Sequence, residues 1–150
     1  MLPLPEVGKV TIIVAKPGSG KSHLIRYIIT KWVFENAIDY AIVFTNTPFN
    51  YPYIQKGFVY GAMDESSREY RLKKIVTTQM KYKEKTGILP RALIVFDDCM
   101  DYNFNRAYWS RLISEHRQYG LTMIFSIQYL NKGVPPIFRT MCHICHCIQD

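Results

Sequence analysis

No apolar run in this 150-residue chain approaches the length of a bilayer span, because charged and polar side chains interrupt every candidate. The start, Met1-Leu2-Pro3-Leu4-Pro5, lacks the basic region and long apolar region of a secretory leader. Cysteine is scarce, at four residues: Cys99 alone, then Cys142, Cys145 and Cys147 clustered late. These absences argue against a membrane-spanning chain and against a disulfide-stapled secreted one. An intracellular, reducing location with free thiols is expected. Acid is in deficit too, with 12 Asp and Glu against 19 Lys and Arg and a net charge of +7. That balance suits an anionic partner such as nucleic acid, and it bears on association rather than on fold.

What is present suffices for one domain over residues 1–150, long enough to bury about two-thirds of its unfolded surface. Its centre is Ala15-Lys16-Pro17-Gly18-Ser19-Gly20-Lys21-Ser22, preceded by the apolar Val10, Ile12, Ile13 and Val14. Strand, Gly-rich turn, Lys-Ser and helical pattern in succession make a Walker A arrangement. Polyphosphate oxygens need several N–H groups at short range, and Gly18 and Gly20 let the backbone approach without a Cβ in the way. Lys16, Pro17, Gly18, Ser19, Gly20, Lys21 and Ser22 are therefore expected to cradle a nucleotide's phosphates at the helix N-terminus. Lys21 would reach the β- and γ-phosphates, and Ser22 would ligate Mg²⁺. Ala15 replaces the usual first glycine. His23 lies beside the loop, placed either to touch nucleotide or merely at the surface.

The second landmark is Ala92-Leu93-Ile94-Val95-Phe96-Asp97-Asp98, a buried parallel strand ending in two carboxylates on the rim where α/β sheets bind ligands. Asp97 is expected to hold Mg²⁺ through water, and Asp98 to orient and deprotonate the attacking water. Leu121 to Ile127 reads as a further strand, with Gln128 at its end placed either to sense γ-phosphate and lytic water or to cap the strand.

Between the landmarks, Leu24, Ile25, Ile28, Ile29 and Trp32 mark an amphipathic helix, and Asp39 to Phe44 a strand. Tyr51 and Tyr53, in an aromatic loop, are placed either to stack on a base or to pack under the loop. Gly57 to Tyr60 suggests a short extra strand. A capping box, Ser66-x-x-Glu69, opens a helix that carries Leu72, Ile75, Val76 and Met80 and stops at Gly87. Its outer face carries Arg68, Arg71, Lys73, Lys74, Lys81, Lys83 and Lys85, either solvated or set against a phosphate backbone. Phe104, Tyr108, Leu112, Ile113 and His116 space a further helix that ends at Gly120. Cys142 to Ile148 reads as a last strand. Its Cys142-His143-Ile144-Cys145-His146 has haem-attachment spacing, but strand alternation puts Cys142 and Cys145 on opposite faces. His143, Cys145 and Cys147 share a face as potential metal ligands, against the simpler reading of small buried residues.

A complete strand between Lys21 and Asp97 indicates an additional strand between the two landmark strands, and no N-K-x-D guanine signature is present: Asn131-Lys132-Gly133-Val134 lacks the acid. Ala15–Ser22, Leu93–Asp98 and Arg117–Arg139 (Arg-x-x-Gly-Leu-Thr-Met-Ile-Phe-Ser-Ile-Gln-Tyr, then Val-Pro-Pro-x-x-Arg) resemble the genome-packaging ATPases of large DNA viruses, the poxvirus-type branch of the FtsK/HerA superfamily. The likeness runs from Val10 to Ile148. It implies a three-layer α/β P-loop NTPase with a mainly parallel sheet and a RecA-like core. It also implies a homo-oligomeric ring, pentamer or hexamer, that hydrolyses ATP with Mg²⁺ and drives double-stranded DNA into a capsid, with capsid proteins as partners. The setting would be the host cytoplasm or nucleus and the virion. In such rings an arginine from the neighbouring subunit completes the site; Arg117 and Arg139 fall in suitable segments, with Arg111 third. The chain reads as stopping just after its last core strand, so the flanking elements of many relatives are expected to be absent. Two other readings stand beside the motor: a P-loop kinase of a small acceptor, and a non-hydrolytic nucleotide-binding assembly module.

Overall fold

The computed structural model describes residues 4–16, 18–99 and 106–128 and the backbone of 143–146. Six strands, β1 (Val10–Val14), β2 (Tyr40–Thr45), β3 (Val59–Tyr60), β4 (Ala92–Asp97), β5 (Leu121–Ile127) and β6 (His143–His146), interleave with helices α1 (Lys21–Phe34), α2 (Glu65–Thr86) and α3 (Arg106–Glu115). They form one sheet in the order β3-β2-β4-β5-β1-β6, every pair parallel. The additional strand between the landmark strands β1 and β4 is β5.

A parallel sheet is covered on both faces, which explains why its strands are nearly continuous apolar runs. Leu93 and Val95 of β4 pack with Ile25, Ile28, Ile29 and Trp32 of α1 on one face. Ile94 and Phe96 pack with Leu72 and Ile75 of α2 and Trp109, Leu112 and Ile113 of α3 on the other. Strand register is fixed by an aromatic ladder. Phe44, Phe96 and Phe125 sit opposite one another on β2, β4 and β5, with ring centroids 5.2 and 4.7 Å apart and nearly parallel planes. Trp109 meets Phe96 edge-on at 5.2 Å. Because side chains alternate, the next residue on each strand points to the other face, so Thr45, Asp97 and Ser126 form a row at the carboxyl ends.

Three expectations need correction. Helix α2 starts at Glu65, not at Ser66 as a cap: Asp64 is the N-cap, its carboxylate accepting from the Ser67 N–H at 2.8 Å. An ionised carboxylate near the helix dipole outcompetes the hydroxyl two residues on. Arg68 is not on the outer basic face. It is 3% exposed and pairs with Glu65 at 2.7 Å, while the other Glu65 oxygen takes the Trp109 indole N–H. His116 lies on the 3-10 turn 116–119 after α3, its ring within hydrogen-bond distance of the Ile113 and Gly8 carbonyls, at 2.7 and 3.0 Å. The strand expected over 142–148 is observed at 143–146. The Cys142 and Cys147 positions and Phe104 lie outside the described residues, as do Pro17 and Arg139.

Candidate active site

The turn after β1 leads straight into α1. Gly18 and Gly20 have φ of 77° and 86°, left-handed values that a Cβ would disfavour, and Gly20 is the N-cap of α1. The first helical turn therefore presents its unpaired N–H groups to an open cleft of about 450 Å³. Lys16, Gly18, Gly20, Lys21, Ser22 and His23 line one wall; Asp97 and Asp98 line the other. Ala15, the departure from the usual pattern, is buried, and its N–H donates to the Ile127 carbonyl at 2.9 Å. It fastens the loop to β5.

The Lys21 ammonium lies 3.3 Å from Asp97 Oδ1 and 4.0 Å from Asp98 Oδ2. Ser126 Oγ donates to Asp97 Oδ1 at 2.8 Å. Asp97 Oδ2 accepts from the Tyr51 hydroxyl at 2.7 Å. Asp97 is 4% exposed and accepts from three donors, from the segment after β1, from β5 and from the loop after β2. Tyr51 is 2% exposed; burial, then the Asp97 carboxylate, push its phenol far above its ordinary value, and it stays a proton donor. Tyr51 is thus no free base-stacking platform. Its ring packs against Tyr53 at 5.7 Å, and the Arg26 guanidinium lies 4.9 Å from the centre of the Tyr53 ring.

Asp98 stands differently. Its φ of 51° turns the chain out of the strand and leaves the side chain 44% exposed. Its N–H donates to the Ser126 carbonyl, Asn46 Nδ2 reaches its carbonyl at 3.3 Å, and Gln128 Nε2 donates to its Oδ2 at 3.0 Å. The three bonds hold an uncommon backbone conformation at the mouth of the cleft. Beyond it, Cys99 is buried and donates to the Phe44 carbonyl; burial pushes its thiol up to about 12, which keeps it a thiol at neutral pH.

The structure brings Lys16, Gly18, Gly20, Lys21, Ser22, His23, Asp97, Asp98 and Gln128 to one rim. Ser19 belongs to the same loop, its hydroxyl buried without a partner and its N–H bonded to the Lys16 carbonyl. It does not bring Arg117 or Arg111 there. Arg117 is exposed on the turn before β5, at the amino end of the sheet, about 20 Å away along the strand. Arg111 is exposed and pairs with Glu115 at 2.8 Å. Sequence reasoning placed Tyr51 in its loop but missed its bond to Asp97, and it missed the polar wall Asn46, Thr47 and Asn50. Their position right after a strand in a parallel sheet was the available signal, since carboxyl ends of such strands gather at the ligand crevice.

Mg²⁺ is a hard cation that takes oxygen ligands. A carboxylate and a hydroxyl, hard oxygens from Asp97 and Ser22, suit that ion. Among the described residues no three His, Cys, Asp or Glu side chains gather to hold a metal.

A parallel sheet, a glycine turn opening a helix, and a lysine facing a strand-end acid across a cleft define the α/β P-loop NTPase fold. The chain superposes on the genome-packaging NTPase B204 of Sulfolobus turreted icosahedral virus 2, solved in complex with ATP-gammaS, with a TM-score of 0.62 and 18% identity over 95% of this chain and 75% of that one. It also superposes on the type VII secretion ATPase EccC of Thermomonospora curvata, with a TM-score of 0.65 and 12% identity over 91% of this chain and 19% of that one. A curated relative, the uncharacterized protein 075L of Invertebrate iridescent virus 6, is 26% identical over 135 residues, 89% of this chain. The chain spans about half the length of that relative, 51%. No family model matches the sequence. The structural likenesses establish the fold, and they embrace packaging and secretion ATPases alike without singling out a poxvirus-type branch.

Proposed function

We infer that the chain is the ATPase domain of a ring-forming motor that translocates double-stranded DNA, of the viral genome-packaging kind. The observation that carries the reading is the Lys21–Asp97 approach at 3.3 Å across the cleft, with Asp98 at its mouth. Without nucleotide the lysine charge is balanced by Asp97; an arriving triphosphate offers a stronger anion, and Lys21 swings onto its β- and γ-oxygens. Loop N–H groups and the α1 N-terminus bind the same oxygens. Ser22 and Asp97 would hold a magnesium ion, which would offset charge on the transferring phosphoryl group. Tyr51 and Ser126 keep the Asp97 carboxylate in place once Lys21 has left it.

Asp98, exposed and oriented by Gln128, accepts a proton from water as the water oxygen bonds to the γ-phosphorus and the bond to the β–γ bridging oxygen breaks. Gln128 joins that carboxylate to the end of β5, so loss of the γ-phosphate is felt by the sheet. Arg117 lies far from its own cleft, and a catalytic role for it requires a neighbouring subunit; Arg139 is the other trans candidate.

The test is phosphate release by the purified protein with and without duplex DNA. DNA-stimulated release, abolished in Lys21→Ala, supports the motor. Release stimulated by a small acceptor instead would assign a kinase, and tight ATP binding without release an assembly module; either overturns the reading. Mixing Arg117→Ala or Arg139→Ala chains with Lys21→Ala chains should restore release if the arginine acts in trans, and no rescue from either removes that role.

A further inference from the structure

Helix α2 carries a second surface that the nucleotide site does not use. Arg71, Lys74, Lys81 and Lys85 recur at spacings of three, seven and four residues, which place them on one face over about 21 Å. Among the described residues none of the four pairs with a carboxylate, whereas Lys73, on the adjoining face, pairs with Glu69 at 3.0 Å. A face serving only solubility mixes signs, as that pair does. This one does not.

Beside the stripe, α2 and the β2–β3 edge enclose a largely apolar groove of about 470 Å³, within the range of about 300–1,000 Å³ usual for ligand pockets. Its aromatic lining is Tyr40, Phe58, Tyr60 and Tyr82; Lys74 also lines it, and the Arg71 guanidinium lies 4.9 Å from the centre of the Tyr60 ring. The floor is preorganised: the Tyr40 hydroxyl donates to Gln79 at 2.6 Å and its ring lies 6.0 Å from Phe58. Tyr82, on the rim, is 49% exposed. A second copy of the chain is a poor occupant, since a self-complementary contact here would press four unbalanced cations on four. The charge calls for a polyanion, and the aromatic groove calls for one whose flat apolar faces are accessible. In a duplex those faces are stacked away; in a single strand they are presented along a phosphate backbone.

We propose that the α2 stripe and its groove form a single-stranded nucleic-acid site, the cations tracking the backbone while a base enters among Tyr40, Phe58, Tyr60 and Tyr82. This site goes beyond the duplex partner of the motor reading and would hold an unpaired strand or a frayed end. It does not depend on hydrolysis.

Fluorescence anisotropy with a labelled 20-nucleotide oligo-dT and with a 20-base-pair duplex, at 50 and 200 mM salt, tests it on the full chain. The variant carrying Arg71→Gln, Lys74→Gln, Lys81→Gln and Lys85→Gln should bind oligo-dT at least tenfold more weakly, with a salt slope shallower by about 3. Tyr82→Ala, a change on an exposed helix face, should lose at least about fivefold for oligo-dT and leave duplex affinity unchanged. Basal phosphate release should be unaffected in both, which separates failure here from failure of the nucleotide site. Unaltered oligo-dT affinity in either variant, or an equal loss for duplex in Tyr82→Ala, overturns the proposal.

Discussion

Asp97 and Gln79 are both buried polar side chains, 4% and 1% exposed, and each ties together three segments of the same sheet at opposite ends. Gln79, inside α2, donates to the carbonyls of Pro90 and Tyr119 at 2.7 and 2.9 Å and accepts from Tyr40 at 2.6 Å, joining the amino ends of β4, β5 and β2. Asp97 accepts from Lys21, Tyr51 and Ser126 at the carboxyl ends. The difference lies in what can leave. Gln79 is neutral, and all its partners are fixed parts of the fold. Asp97 is charged, faces a cleft, and has one partner that is a cation on a flexible stem. A saturated neutral node locks a sheet; a charged node with a detachable partner is a place where a ligand can intervene.

Substitutions should separate the two ends. Asp98→Asn, at the exposed mouth of the cleft, should lower phosphate release about 10³-fold while ATP affinity and Tm hold, checked by turnover beside a thermal melt. Loss of stability without loss of turnover would merge the two ends and break the distinction. Gln79→Leu should do the reverse: it leaves two carbonyls and a hydroxyl buried without partners, costing about 3 kcal/mol, or roughly 6–12 °C in Tm, with turnover per folded molecule unchanged. Gly120→Ala, beside the same node, should cost about 2 kcal/mol by denaturant titration. Its φ is 73°, and a Cβ there would lie 2.5 Å from the Pro90 carbonyl oxygen.

Tyr51→Phe sharpens the carboxyl end. It removes one hydroxyl from Asp97 and should lower kcat about tenfold with the Kd for ATP little changed, because Tyr51 does not line the cleft; an equal rise in Kd would make Tyr51 a binding residue instead. The smallest effect is expected outside both nodes. Arg91 hydrogen-bonds both oxygens of Asp39, at 2.9 Å to one and 3.2 Å to the other from its side chain, and holds that carboxyl below its usual range. A carboxyl lowered on folding stabilises the protein above the ordinary carboxylate range, and the gain is lost as pH falls through its folded value. Asp39→Asn should therefore cost roughly 1–2 °C in Tm at pH 7, and progressively less as pH falls through the folded value of that carboxyl.

The carboxyl end was more legible in sequence than the amino end. Lys21, Asp97 and Asp98 announce themselves because phosphate chemistry demands fixed residue types next to an apolar strand, and β1, β4 and β5 follow from the runs that lead to them. Tyr51 did not, since its role arises from a loop folding back over β4, a tertiary fact without periodicity. Gln79 and Arg68 were hidden for another reason. The apolar stripe of α2, Leu72 and Ile75, extends by four residues in each direction to reach both, but a polar residue type on a buried stripe reads as surface when composition is weighed before spacing. The N-cap slipped similarly: Asp64 and Ser66 are both good caps, and the structure uses the carboxylate of Asp64.

The central claim is that a triphosphate takes Lys21 away from Asp97. A crystal structure of the chain with Mg²⁺ and a non-hydrolysable ATP analogue tests this most directly. The account predicts the Lys21 ammonium within hydrogen-bond distance of β- and γ-phosphate oxygens and parted from Asp97, with the Tyr51 and Ser126 bonds to Asp97 intact. An analogue bound in the cleft with the 3.3 Å Lys21–Asp97 pair unbroken, or bound elsewhere on the chain, would contradict it.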